Sequence, residues 1–229
     1  MNYVLATSRE RNKPLAKQLE EKTGHTFHLI TRTEELTHER LRAISPRYVF
    51  FPHWSHIIPS EIHEAFECVI FHMTDLPYGR GGSPLQNLIL RGHQETQISA
   101  LRCVAELDAG PVYMKRPLSL EGSASEIFLR AADVVQEMIE EIVRIEPLPE
   151  HQEGEPTVFR RRTPEQSNLR EANLLTLKDF FDFIRMLDAP TYPLAFIEHE
   201  GFLLEFTHAQ LLSDSIEARV RIRRKGDLQ

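Results

Sequence analysis

The stretch FHMTDLPYGRGGSPLQNLI, residues 71–89, sets His72 at the end of an apolar run and directly before a turn holding Pro77, Gly79, Gly81, Gly82 and Pro84. An imidazole takes up and returns a proton near neutral pH, and a glycine-rich turn lets backbone groups come close to it. Other apolar runs end on Thr7-Ser8-Arg9, on His53-Trp54-Ser55-His56 and, after ALRCVAE, on Leu107-Asp108. In an open parallel sheet, ligands bind where strands end at their carboxyl edges. A histidine and an aspartate on neighbouring strand ends make an acid/base pair in which the carboxylate orients the ring. Metal chemistry fits poorly, because HEAFE (63–67) lacks the second histidine of HExxH and two cysteines, Cys68 and Cys103, cannot supply a four-thiolate site. No metal is expected. The first apolar run leads into ATSRERNK without GxGxxG or GxxxxGK[ST], so the dinucleotide and P-loop readings fail. Ser8 and Arg9 stand before a helix and suit a phosphate, although Ser8 serves equally as a plain cap.

The elements that must hold these groups are legible as alternating strands and helices. YVLATS (3–8), HTFHLI (25–30), RYVFFPH (47–53) and CVIFH (68–72) have strand composition. RNKPLAKQLEEKTG, LTHERLRAI and EIHEAF between them have helical spacing, with Gly24 as one stop. Such alternation predicts a parallel sheet covered on both faces. PLQNLILRG (84–92) follows as a helix, QISALRCVAELDAGPVYMKRPLSL (97–120) as two strands, and ASEIFLRAADVVQEMIEEIVR (124–144) as an amphipathic helix capped by Ser123 or Ser125. IEPLPEHQEGEP (145–156), with three prolines, a glycine and four glutamates, reads as a linker. The division expected is a core over 1–145, a linker over 146–158 and a small domain over 159–229 with a helix and a hairpin turning at Glu200-Gly201. At 229 residues with 41% apolar and 27% charged content, the chain suits a soluble globular protein, and the absence of a membrane-length apolar run or a secretion signal points to the cytoplasm. A formal net charge of −7 speaks against a general nucleic-acid binder. The alternating RVRIRR (219–224) reads as an exposed edge strand.

The segment 71–89 resembles the signature of folate-dependent formyltransferases, in which Asn-x-His is followed by Leu-Pro, a glycine-rich turn, Pro and a helix beginning with Gln. AELDAGPVYMK (105–115) is similar to that family's second segment, an Asp in Leu-Asp-x-Gly before an apolar strand. FRRRTPEQSNL (159–169) and the segment 177–202 resemble the small C-terminal domain of members that formylate amino sugars. The resemblance implies an α/β fold: a Rossmann-like formyltransferase core with a mainly parallel sheet, plus a small C-terminal α+β subdomain. It implies 10-formyltetrahydrofolate as the formyl donor, His72 and Asp108 as catalytic groups, and the folate held by Trp54, Ser55, His56, Ile57 and Ile58 and by the backbone of Val104, Ala105 and Glu106. The family's Asn falls on Ile70, which cannot donate a hydrogen bond. Thr74, Asn87 or a backbone N–H is expected to stand in for it.

The acceptor expected on this resemblance is a nucleotide-linked amino sugar of surface glycan biosynthesis. Its phosphates would lie near Ser8 and Arg9, its amine near His72, and its base among Asn12, Arg80, Gly81 and Asn87. Residues 151–229 hold 11 Lys/Arg against 13 Asp/Glu, a net of 11 − 13 = −2, which disfavours tRNA. The alternatives are an enzyme like methionyl-tRNA formyltransferase, or a folate-binding or deformylating homologue impaired by Ile70. Sugar-modifying members often form homodimers, for which the FLLEF hairpin offers an interface.

Overall fold

Strands buried on both faces carry near-continuous apolar runs, and the first four strands of this chain do so. The structure, a computed structural model, describes residues 1–190 and 192–225. Strands β1 (Asn2–Ala6), β2 (Thr26–Ile30), β3 (Val49–Phe51) and β4 (Cys68–His72) pair in parallel in the order β2-β1-β3-β4. Their connections run through α1 (Leu15–Thr23), α2 (His38–Ile44) and α3 (Ser60–His63). Local chemistry fixes the helix ends. Gly24 closes α1 at φ 70°, its N–H donating to the Glu20 carbonyl at 2.9 Å, and the Thr37 hydroxyl accepts from the Arg40 N–H at the start of α2.

After the two-residue strand β5 (Arg80–Gly81) and α4 (Pro84–Leu90), β6 (Glu95–Arg102) enters antiparallel to β4, with His72 opposite Ser99 and Ile70 opposite Leu101. β7 (Val112–Ser119) completes a six-stranded sheet, β2-β1-β3-β4-β6-β7. The sheet is thus mainly parallel with an antiparallel flank. On one face Val4, Ala6, Val49, Phe51 and Cys68 join Leu41 and Ile62 in a buried cluster. On the other, Tyr3 stacks on Phe27 at 5.0 Å and Tyr48 lies 5.5 Å from Phe50. The alternation along β1 and β3 therefore builds two aromatic and aliphatic layers from one sheet.

Helix α5 (Ala124–Ile145) follows, then the short strand β8 (Val158–Phe159), α6 (Leu177–Arg185), and an antiparallel sheet of β9 (Ala195–His199), β10 (Phe202–Leu211) and β11 (Ile216–Arg224) in the order β11-β10-β9. The turn between β9 and β10 is at Glu200-Gly201, both at positive φ (43° and 84°), as a two-residue hairpin of type I′ requires. The packing units do not follow the expected linear division. One comprises Met1–Gly81, Gln97–Leu118 and Arg130–Val158; the other comprises Gly82–Thr96, Ser119–Leu129 and the described residues from Phe159 onward. Within the second unit α4 is held by side-chain bonding although its neighbours in the chain belong to the first: the Gln86 amide donates to the Met186 carbonyl at 3.1 Å. No helix among the described residues is long and apolar enough to cross a membrane.

Candidate active site

His72 is the last residue of β4, and both of its ring nitrogens face a partner. Nε2 lies 2.8 Å from the carbonyl oxygen of Gly79. A carbonyl only accepts, so Nε2 carries the hydrogen and the neutral ring keeps its lone pair on Nδ1. Nδ1 is 3.5 Å from Oδ2 of Asp108, and both side chains are about nine-tenths buried. Asp108 sits at φ 53° in the loop between β6 and β7, and the Gly81 N–H donates to the same Oδ2 at 2.9 Å. The glycine-rich turn thus touches both members of the pair, through the Gly79 carbonyl on His72 and the Gly81 amide on Asp108. Gly110 lets that loop close: a Cβ there would lie 1.9 Å from the Arg102 carbonyl oxygen.

Electrostatics and packing tie the rest of the loop to this pair. Burial, with the Asp108 charge behind it, pushes the Cys103 thiol up to about 11, and Cys103 donates its backbone N–H to the Cys68 carbonyl at 2.8 Å. Arg80 donates from Nε and Nη2 to Oε1 of Gln152 and from Nη1 to Oε1 of Glu106. Thr74, expected among the catalytic groups, is fully buried with its hydroxyl 3.4 Å from the Gly79 carbonyl. Its contact is with the turn.

The segments expected to hold folate flank the pair. Trp54 and Ile58 pack against the cluster on β1, β3 and β4, as do Ile70 and Cys103. Ile70 lies on the same face of β4 as His72, since side chains two apart on a strand share a face. Ser55 and His56 are exposed, and Ile57 is 91% exposed. Trp54 Nε1 is buried with no hydrogen-bond partner among the described residues, and Val104 and Ala105 make no backbone hydrogen bond among them. The free backbone groups of Val104 and Ala105 beside apolar walls suit a flat heterocycle with polar edges.

The residues expected on the acceptor divide. The Ser8 hydroxyl reaches the His53 carbonyl at 3.0 Å and the Ser55 hydroxyl at 3.2 Å, which keeps it at the strand ends. Asn12 is only 2% exposed, and its amide donates to Thr7 Oγ1 and the Pro52 carbonyl, so it ties two loops together. Asn87, in the second unit, gives its amide to the carbonyls of Gly82, Ser83 and Arg160. Those donors are committed to backbone, which removes Asn87 as a stand-in for the missing Asn. Gln152 was not expected, because its segment carried only the composition of a linker. Among the described residues no three His, Cys, Asp or Glu side chains gather as a metal site.

The formyl transferase family profile matches residues 4–140, and that of the methionyl-tRNA formyltransferase C-terminal domain matches residues 164–223. The methionyl-tRNA formyltransferase of Methylococcus capsulatus is 30% identical over 188 residues, 79% of this chain and 60% of that protein. A solved structure of methionyl-tRNA formyltransferase from Clostridium thermocellum is 46% identical, with a TM-score of 0.94, and the match covers 98% of this chain and 99% of that one. At the level of fold alone, a sugar N-formyltransferase from Shewanella sp. (15% identity, TM-score 0.73, 93% of this chain and 99% of that one) and HypX from Aquifex aeolicus in complex with tetrahydrofolic acid (19%, 0.72, 90% and 37%) are also similar. The sugar-modifying likeness is therefore distant, and the more similar proteins carry the methionyl-tRNA name. The chain spans 60%, 43% and 59% of the lengths of three curated relatives it matches. With a family profile across more than half its length, this chain belongs to the formyl transferase family.

Proposed function

We propose that this protein transfers the formyl group of 10-formyltetrahydrofolate to a primary amine, and that the amine is that of a methionyl-tRNA. The observation that carries the chemistry is the His72 ring held between the Gly79 carbonyl and the Asp108 carboxylate. The neutral amine attacks the formyl carbon, and the carbonyl becomes a tetrahedral oxyanion. His72 Nδ1 takes the proton that the attacking nitrogen must lose, and the Asp108 carboxylate, 3.5 Å from Nδ1, lies beside the positive charge so formed. The imidazolium then returns that proton to the folate nitrogen as the C–N bond breaks. Asp108, fixed by the Gly81 amide, stabilises the charged ring while it exists. Ile70 supplies apolar wall where the resemblance implies an oxyanion donor, so the imidazolium carries more of the stabilisation.

The methionyl-tRNA reading is supported by the names of the relatives at 30% and 46% identity. A second reading, a nucleotide-linked amino sugar in the cytoplasm, is favoured by one observation: residues 151–229 carry a net charge of −2, little for gripping a polyanion. The deciding experiment incubates the protein and 10-formyltetrahydrofolate with methionyl-tRNA in one arm and UDP-, dTDP- and GDP-linked amino sugars in others, and follows the formylated product by mass spectrometry. Product in the tRNA arm supports the first reading. Product in a sugar arm alone replaces it with the second. Formate release with no formylated acceptor in any arm overturns both in favour of a deformylase.

A further inference from the structure

The segment after α5 passes beside the candidate active site, and one of its side chains enters the polar network there. Gln152 is half-buried between the exposed His151 and Glu153. Its Nε2 donates to the backbone carbonyl of Asp108 at 2.8 Å and to that of Gly110 at 2.8 Å. Its Oε1 accepts from Arg80 Nε at 3.1 Å and Nη2 at 2.9 Å. The amide therefore joins two segments of the site, the Asp108 loop and the residue preceding Gly81. The segment is pinned on both sides of Gln152: Glu150 and Val112 exchange backbone bonds at 2.7 and 2.8 Å, and the Thr157 carbonyl accepts from the Arg80 N–H at 2.9 Å.

We infer that Gln152 is a positioning residue for the formyl transfer proposed above, holding Asp108 at its left-handed backbone conformation so that its carboxylate stands opposite His72 Nδ1. A non-glycine residue at φ 53° needs its surroundings to hold it. The Asp108 carboxylate is gripped by the Gly81 N–H, and its own carbonyl is gripped by Gln152. Arg80 completes the frame by linking Gln152 to Glu106 two residues before Asp108. The guanidinium, 15% exposed and spent on these two partners, is a strut of the loop, whereas the sequence suggested that it meets substrate. An amide is the required group here. A carboxylate would keep the Arg80 contact and offer no donor to the two carbonyls.

The inference rests on the formyl transfer reading, and its test separates the two. Gln152→Glu is compared with wild type for kcat, for KM toward the formyl donor, for thermal midpoint, and for the His72 ring nitrogens in long-range 1H–15N spectra, assigned by their loss in His72→Gln. The expected result is a fall in kcat of about 100-fold, as a displacement near 1 Å produces, with KM within about twofold and a moved His72 ring signal. Gln152→Met removes the donors without adding charge and is expected to move the ring signal likewise, which covers the case that the glutamate variant does not fold. A kcat within about threefold of wild type together with an unmoved ring signal would overturn the inference. So would kcat and KM failing together in step with a collapsed thermal midpoint, which marks a purely structural role. If wild type transfers no formyl group at all, the functional reading fails, and the His72 signal still decides whether Gln152 sets the pair.

Discussion

If His72 and Asp108 share the proton transfer proposed above, Asp108→Asn is the informative substitution. Asparagine retains an oxygen for the Gly81 N–H and loses the charge that faces Nδ1. Turnover is expected to fall by roughly 100- to 10,000-fold, the range general acid–base groups contribute, with folate binding retained. Initial rates and a fluorescence titration of folate measure the two separately, and an Asn variant that turns over at the wild-type rate would remove Asp108 from the mechanism. Ile70 poses the converse question. It is half-buried beside His72 and packs against the cluster that includes Phe51 and Cys68. Ile70→Asn introduces a donor where the resemblance implies one, and is expected to raise kcat, by up to about 100-fold given what one oxyanion donor is worth. The same change places an amide against apolar neighbours, so the unfolding free energy should drop by about 1–3 kcal/mol. Denaturant melts alongside kinetics would reveal the trade, and a slower Asn variant would show that the site is built around an apolar wall.

At the scale of elements, the antiparallel entry of β6 and the closure of its loop decide where Asp108 can stand. Gly110→Ala would drive a Cβ into the Arg102 carbonyl, and because the Arg102 N–H donates to the Pro111 carbonyl, the loop must shift as a body. The expected cost is about 1–3 kcal/mol of stability, with activity lost well beyond that share because Asp108 moves with the loop. Circular dichroism melts and rates on the same preparation would check it, and retention of full activity would refute the link. The central sheet and the residues bordering its strands bury ionisable groups that are neutral at pH 7. Burial raises the thiol of Cys103 to about 11 and raises Cys68, Tyr3, Tyr48 and Tyr113 as well. A raised folded pKa gives stability that is present below the unfolded value and is lost as the pH climbs toward the folded one. Unfolded thiols ionise near about 8.5 and tyrosines near about 10. The melting temperature should therefore hold from pH 7 to 8, then decline from about pH 9 through 11; a flat profile to pH 11 would mean these groups titrate freely. Element ends were legible where their signals are local, as with Gly24 after α1. The antiparallel pairing of β6 and the grip of Gln152 on a residue 44 positions away are nonlocal, and composition cannot register them. The neighbouring strand ends that suggested His72 and Asp108 do bring the two side chains to 3.5 Å, while Thr74, Asn12 and Asn87, named with the oxyanion site and the acceptor, spend their polar groups on backbone or buried neighbours.

For the whole molecule, acceptor choice is a question of charge and extent. The chain carries a net −7, spans no more than three fifths of three curated relatives, and concentrates cations on the edge strand β11. Of the five basic residues from Arg219 to Lys225, Arg223 pairs with Glu205 at 2.6 Å and Lys225 with Glu198 at 2.7 Å. Arg219, Arg221 and Arg224 have no ion-pair partner among the described residues, which leaves three ready phosphate contacts on this strand. If those three carry tRNA binding, the logarithm of affinity should fall against the logarithm of salt with a slope of about −2 to −3, from roughly 0.7 to 0.9 counterions released per contact. Replacing Arg219 and Arg221 with Gln should flatten that slope to about −1. The measurement is KM for methionyl-tRNA between about 50 and 200 mM salt, alongside KM for the formyl donor as the reference. A slope near zero with turnover preserved would mean that the acceptor is gripped without its phosphates, and would shift the assignment to a small amine whose recognition depends on the loops around His72.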